Sequence, residues 1–519
     1  MNKTLKTLKR MGALMLAAML LVVALVACGD GTASSGGNNS TADNSGAEST
    51  GGNNEDGSTP DNADNGEVVK LRVWGFTNSS SPDVDKVAEA ISELTREKIG
   101  VEIELVRSGD GEKLNLALTS GEQLDLVNFH AYSGGLAALV STGYAAPLDD
   151  LIAQYGQEIM DVVPADYMEC AKIGGVTYMI PNLKDTARAA GIAMRKDVLD
   201  QLGIDPDTIK TWDDVHDVLV KVKEETDLYP LVPSWAGGGM QEVIPYDTLG
   251  GGFGILESCF EDNMTVVDFY ETDAYREYCE RMYQWNQEGL IMPDATTSME
   301  NNLVQTVGFA DYENIKPGKV QEIEKNWGVE CVIVELTPPY SYTELVSGSS
   351  FFIPEISKHK EKAMQLWSLM YTDPEISNLF INGIEGQNWQ WADDAHTTIK
   401  APDGMDSTAT GYESLDWAWP NMRITPVWEG NDADIWDQMQ TFCDSAVSSP
   451  AIGFRFDNTN VMNEITACNN VVDKYNTALR WGELNPDEAL PKFIDELKTA
   501  GVDTIIAEKQ AQLDAWLAE

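Results

Sequence analysis

Basic residues are scarce in this chain. Thirty-five Lys and Arg stand against 84 Asp and Glu, for a formal charge of −49. A surface this acidic repels phosphate backbones and anionic headgroups, which excludes nucleic acid and adhesion to anionic lipid as functions. It leaves the charge of a small ligand open. Histidine is scarcer still: His130, His216, His359 and His396 lie far apart, and no H-E-x-x-H pair occurs. No metal and no cofactor are expected. There are 7 cysteines and no C-x-x-C. Beyond Cys28, the thiols Cys170, Cys259, Cys279, Cys331, Cys443 and Cys468 are widely spread. Six cysteines admit up to fifteen pairings, and isolated buried thiols fit the spacing equally well. Ser108-Gly109-Asp110-Gly111 is glycine-rich, but no Lys-Ser/Thr follows, so it is no phosphate loop.

What the chain does have begins at its N-terminus. Lys3, Lys6, Lys9 and Arg10 form a positive head, and Met11 to Ala27 is uncharged and mostly apolar. This is the pattern of a secretory signal, at the short limit for a membrane span. Leu25-Val26-Ala27-Cys28 resembles the lipobox of bacterial lipoproteins. That resemblance implies removal of residues 1–27 and a diacylglyceryl group on Cys28, whose two acyl chains suffice for stable anchoring. Residues 28–67 then form a tether of Gly, Ser, Asn and Asp. With almost no apolar side chains it cannot offset the entropy of ordering, and as a coil it spans about 35 Å. Without the signal, 31 basic residues face 84 acidic ones, a charge of −53.

The remaining 450 or so residues suffice for two or three domains. Val68 to Phe76 alternates as a strand. Ser81-Pro82-Asp83 reads as a helix start with Ser81 as cap, and Val84, Val87, Ala88, Ile91 and Leu94 recur at helical spacing until Gly100. Val101 to Val106 alternates again, a helix follows over about 111–119, and Leu124 to Phe129 reads as a buried strand. This β-α-β order predicts an open α/β sheet with ligand beyond the carboxyl ends of its strands, here Gly75 to Asn78 and Phe129 to Tyr132. Further on, the pattern predicts a strand over Ala189 to Met194 and helices over Trp212 to Lys223 and His359 to Met370. It also predicts two C-terminal helices, opened by Asn485-Pro486 and by Asp503.

Several motifs occur together in a fixed order. They are GGVTYMIP, GIAMRKDVLDQLGID, ETDAYREYCERMYQWNQEGLI, FADYENIKPGK, ELTPPY, SGSSFFIP with KAMQLW and TDPE, GIEGQNW, and LNPDEALPKFIDELKTAG. In this the chain, over roughly residues 68–519, resembles the extracellular solute-binding lipoproteins of bacterial ABC importers. The likeness is to the LipO-like branch of the sugar-binding family that includes maltose-binding protein. The resemblance implies a two-lobed α/β fold of the type II periplasmic-binding-protein kind, with a cleft between lobes. Lobe one would hold 68–180 with 350–386, and lobe two 181–349 with 387–519. Crossings would fall near Tyr178 to Asn182 and Val346 to Phe351. It further implies a monomer on the extracytoplasmic face that captures a carbohydrate, an oligosaccharide given its aromatics, closes by hinge motion and engages the ABC permease subunits without catalysis.

A sugar offers hydroxyls to polar side chains and C–H faces to aromatic rings. Candidate contacts follow from strand ends and turn-rich aromatics: Trp74, Phe76, Asn78, His130, Tyr132, Trp417, Trp419 and Trp428. The resemblance adds Asn182 and Lys184 after the first crossing, Trp235 and Tyr312 as stacking rings, and Glu385, Asn388 and Trp389 in GIEGQNW. Each has a structural alternative: Trp74 as core, His130 as a loop histidine, the GIEGQNW glycines as a turn. Two rival functions stand beside this one. A receptor for peptides or other solutes would use the same scaffold. A secreted glycoside hydrolase would need two carboxylates at set separation, and no motif singles out a pair among 84 acids. A sensor subunit feeding a kinase is compatible with the same single chain.

Overall fold

The computed structural model describes residues 68–132, 134–233, 240, 243–298, 303–406 and 409–518. The signal, Cys28, the tether and Trp235 lie outside the described residues.

Two sheets organise the body. Strand Val69–Gly75 turns Leu71 and Val73 inward and pairs in parallel with Val101–Arg107, Leu71 opposite Ile103 and Val73 opposite Leu105. Between them helix Val84–Ile99 buries Val87, Ala88 and Ile91, and Gly100 ends it at φ 65. The expected cap is corrected here: Asp83 stands at the N-cap position, without a side-chain cap bond. The Ser81 hydroxyl instead accepts from the Glu413 N–H (3.3 Å). Strand Leu126–Asn128 follows, then antiparallel Ser350–Phe352 and Ile180–Pro181, giving a five-stranded sheet. Its core includes Leu71, Ile91, Leu126, Phe351, Trp367 and Phe380.

The second sheet has four strands in the order Cys331–Glu335, Ala189–Arg195, Gly308–Ile315, Tyr229–Leu231. Helix Trp212–Glu225 starts from a capping box of Thr211 and Asp214. Helices Asp273–Gln287, Met462–Arg480, Pro486–Ala500 and Val502–Leu517 join the same core through Tyr275, Met282, Leu479, Phe493 and Ile505.

The chain passes between the sheets over 182–188 and again over 336–349. The two passages pair through Arg188 and Tyr340, whose backbones exchange hydrogen bonds of 3.0 and 2.7 Å. A third strand, Val447–Ser448, lies parallel to Tyr340–Ser341 as the chain returns to the second core. Of the motif-based positions, Ile180–Pro181 and Ser350–Phe352 are strands of the first sheet, and the third passage has no counterpart among them.

The segment 412–436, assigned from sequence to lobe two with everything after 386, packs on the first core instead. The Trp419 ring covers Gly75, where a Cβ would lie 2.6 Å from it, and packs on Phe351 and Phe380. The six described cysteines are all free thiols.

A cleft between the two lobes

Where the two cores face each other, the chain encloses a cavity of about 280 Å³. Phe129, His130, Tyr132 and Leu136 come from the first lobe, and Gly250 to Gly252, Arg455 and Asn458 from the second. Glu344, Ser347 and Gly348, on or beside the short helix Thr343–Ser347, close it at the second passage.

The aromatic lining is Phe129, His130 and Tyr132, and Phe76 and Trp417 pack on His130. The His130 ring stands edge-on to Phe76 and to Trp417, with centroids 4.7 Å away in both cases, and Phe76 lies 5.6 Å from Trp417. These rings sit beyond the carboxyl ends of the first and third strands, held by polar groups around them. The Asn128 side-chain Oδ1 accepts from the His130 N–H (2.9 Å), while its Nδ2 donates to the Ala418 carbonyl (2.7 Å). Asn182 donates to the Trp417 carbonyl (3.2 Å). Arg107 lies over the Tyr412 ring and donates to the carbonyls of Glu413 (2.6 Å) and Phe76 (3.1 Å). The Glu413 carboxylate accepts from the Thr77 hydroxyl and from the N–H groups of Asn78 (2.8 Å) and Ser79 (3.2 Å). Burial pushes His130 below the usual histidine pKa.

The opposite wall is polar. The Arg455 guanidinium donates to Ser347 Oγ and to the Cys170 carbonyl (3.3 Å), joining second lobe, passage helix and first lobe. Both Glu344 carboxylate oxygens and Arg455 Nε are covered from solvent without a hydrogen-bond partner among the described residues. An unmet buried carboxylate is costly and gains from any incoming donor. Behind it, burial and then the Glu344 charge push Asp247 up to about 7, although Asp247 accepts from Ser449 Oγ and from the Leu249 N–H (2.7 Å). Near the first passage, burial pushes the Asp185 carboxyl up, but the charges of its partners Lys184 (3.3 Å) and Lys316 (3.0 Å) outweigh it and hold the pKa down.

The structure sorts the candidate residues. His130 and Tyr132 line the cavity, and Phe76 and Trp417 extend the wall from His130. Asn182 backs that wall, and Lys184 is buried against Asp185. Asn78 is exposed on the neighbouring loop. The others are engaged away from the cavity. Trp74 is 2% exposed and Trp419 1%, both in the first core. Tyr312 lies in the second core with its hydroxyl on Met282 Sδ (3.0 Å). Asn388 ties Asp83, the Thr410 carbonyl and the Ile384 N–H together. Trp389 donates to the Gly383 carbonyl (3.0 Å), Trp428 to Asn382 (2.9 Å), and Glu385 is an exposed turn residue. The GIEGQNW segment is thus a packed turn. Glu344, Arg455, Asn458 and the glycines 250–252 escaped sequence reasoning. Only the run TLGGGFG carried a visible signal, and nothing around Arg455 did.

Comparison with known proteins agrees with this architecture. Residues 78–375 match the family described as bacterial extracellular solute-binding protein, and residues 450–518 match a domain of unknown function, DUF3502. A carbohydrate ABC transporter substrate-binding protein of Streptococcus pneumoniae is 26% identical over 475 residues, covering 88% of this chain and 92% of the relative. The crystal structure of the N-glycan transport solute binding protein NgtS of S. pneumoniae superposes with a TM-score of 0.76 at 22% identity, over 87% of this chain and 99% of that one. The NgtS complex with Man5GlcNAc gives 0.69 at 23%, over 87% and 99%. The alginate-binding protein AlgQ2 gives 0.57 at 16%, over 86% and 98%.

Proposed function

The chain belongs to the bacterial extracellular solute-binding protein family, and from that premise we propose that its cleft captures an oligosaccharide and hands it to the permease of an ABC importer. The observation that carries this reading is the chemistry of the two walls. The rings of His130 and Tyr132 in the lining, with Phe76 and Trp417 packed on His130, suit the C–H face of a sugar, and Glu344, Arg455 and Asn458 in the same lining suit its hydroxyls. The named carbohydrate receptors among its relatives support the same class.

Capture works by hinge motion about the paired passages at Arg188, Tyr340 and Val447, which are few and main-chain paired. The first lobe comprises the five-stranded sheet with 412–436, and the second comprises the four-stranded sheet with the C-terminal helices. Closure brings the Glu344 corner and the aromatic residues around His130 onto one ligand. The protein performs no reaction on its ligand. The diacylglyceryl group on Cys28 holds it at the outer face of the membrane, and the tether lets the monomeric body reach the permease.

The test is a thermal-shift screen of the purified protein with Man5GlcNAc, maltotetraose and tetra-alanine. A ligand at a hundred times its Kd stabilises by about 2.7 kcal/mol, read as a rise in Tm. A sugar hit without release of reducing ends supports the reading. A response to the peptide alone replaces carbohydrate with peptide, and new reducing ends overturn the non-catalytic claim.

A further inference from the structure

The C-terminal segment 450–518 carries a buried amine that the cleft chemistry above does not use. Lys509, on helix Val502–Leu517, is fully buried. Its ammonium donates to the carbonyls of Thr248 (3.0 Å), Gly251 (2.8 Å) and Gly254 (2.8 Å). Among the described residues it makes no ion pair within 4.0 Å. Burial pushes the Lys509 amine down to about 7, so a core that merely needed filling gains nothing from this group here. What its N–H donors do is gather three carbonyls of one loop, Thr248–Gly254.

That loop is conformationally unusual. Leu249 lies at φ 55, and Gly250, Gly251, Gly252 and Gly254 at 93, 91, 75 and 82. Left-handed backbone at a leucine is strained and persists only where surrounding contacts over-determine it. Here they do. The Leu249 side chain is buried, its N–H donates to Asp247 (2.7 Å), and its carbonyl accepts from the Phe456 N–H (3.1 Å). The loop has two different sides. A Cβ on Gly250 would strike Phe456 N at 2.6 Å. On Gly251 it would meet nothing within 4 Å, and on Gly252 only Ile465 Cδ1 at 3.9 Å. The closed side faces the C-terminal segment. Gly250 to Gly252 also line the cleft cavity, beside Arg455 and Asn458 of the same segment.

We propose that Gly250 to Gly252 form a bare main-chain platform on which a ring of the ligand rests, and that Lys509 is the positioning residue holding it there. The proposal rests on the oligosaccharide reading and deepens it. It gives the C-terminal segment a role, as one wall of the binding site and the clamp behind it. Absent side chains let a sugar ring approach the backbone closely, while the Gly251 N–H and carbonyl, already held by the Thr248 carbonyl (3.1 Å) and Lys509 (2.8 Å), fix the platform's shape. An unclamped run of glycines would lose this shape to chain entropy.

Two variants of the full-length protein test it with Man5GlcNAc and maltotetraose as probes. Gly252→Asn fits, because asparagine tolerates a left-handed backbone and the added side chain points into open space. It is expected to keep the wild-type Tm and to raise Kd about tenfold or more. Lys509→Met is expected to speed amide exchange across 249–254 in the unliganded protein and to weaken the same sugar. A Kd for Gly252→Asn within about twofold of wild type overturns the platform, and unchanged loop exchange in Lys509→Met overturns the clamp. If neither sugar binds wild type, the oligosaccharide reading fails, while the exchange comparison still decides the clamp. If Lys509→Met does not fold, Gly252→Asn decides the platform.

Discussion

Trp417 shows how one residue's role depends on what surrounds it. Its ring stands 4.7 Å from His130, while its neighbour but one, Trp419, lies beneath Gly75 in the first core. The two have the same chemistry and differ in placement, so removing them should have different effects. Trp417→Ala is expected to weaken sugar binding about tenfold, with little loss of Tm, by isothermal titration. Trp419→Ala should cost roughly 3–5 kcal/mol of stability, read by denaturant unfolding. Asp247 supports a prediction of another kind. Its folded pKa is raised to about 7 from 3.8 by burial and by Glu344. A raised carboxyl pKa means stability that is complete below pH 3.8 and lost as pH climbs through about 7. Glu344, Lys509, Ser449 and the Leu249 N–H are the groups that face it. The Tm of Asp247→Asn relative to wild type should therefore rise between pH 4 and 7 and level off above. A difference flat across that range would remove Asp247 as the cause.

At the scale of elements, the loop after the first strand depends on a residue more than three hundred positions away. Glu413 collects the Thr77 hydroxyl and the Asn78 and Ser79 N–H groups. Glu413→Ala should free those amides, with exchange at Asn78 and Ser79 rising about tenfold for each 1.4 kcal/mol of local stability lost. Sugar affinity should fall with it, because Phe76 leads into that loop. The strand at 69–75 and the helix at 84–99 were legible because period-two and period-3.6 patterns are written in adjacent residues. The cap was not, because the Ser81 hydroxyl is taken by a distant N–H. The return of 412–436 to the first lobe was not legible either. That segment is turn-rich, and its anchors Tyr412, Trp419 and Met422 have no period to betray which core they fill.

For the whole molecule, the proposed closure turns about the paired passages at Arg188, Tyr340 and Val447. A binding sugar should lower the radius of gyration in small-angle scattering, and an unchanged value at saturation would refute hinge closure. Cys28→Ala should release the protein from membranes into the medium with the body's affinity intact, measured by fractionation and titration. Retention at the membrane would refute the lipid anchor.

The sequence by itself determined the α/β class, the first β-α-β unit and the acidic balance of charge, because these are matters of local pattern and composition. It also brought His130, Tyr132, Phe76 and Trp417 into view, as strand-end and loop aromatics. Only the tertiary structure decided which tryptophans are core and which are wall. It alone set Glu344, Arg455 and three glycines around one cavity, and placed Lys509 behind them. Those residues lie up to 285 positions from the groups they bind. The contacts that give them meaning exist only once both cores have formed, and no local pattern encodes them.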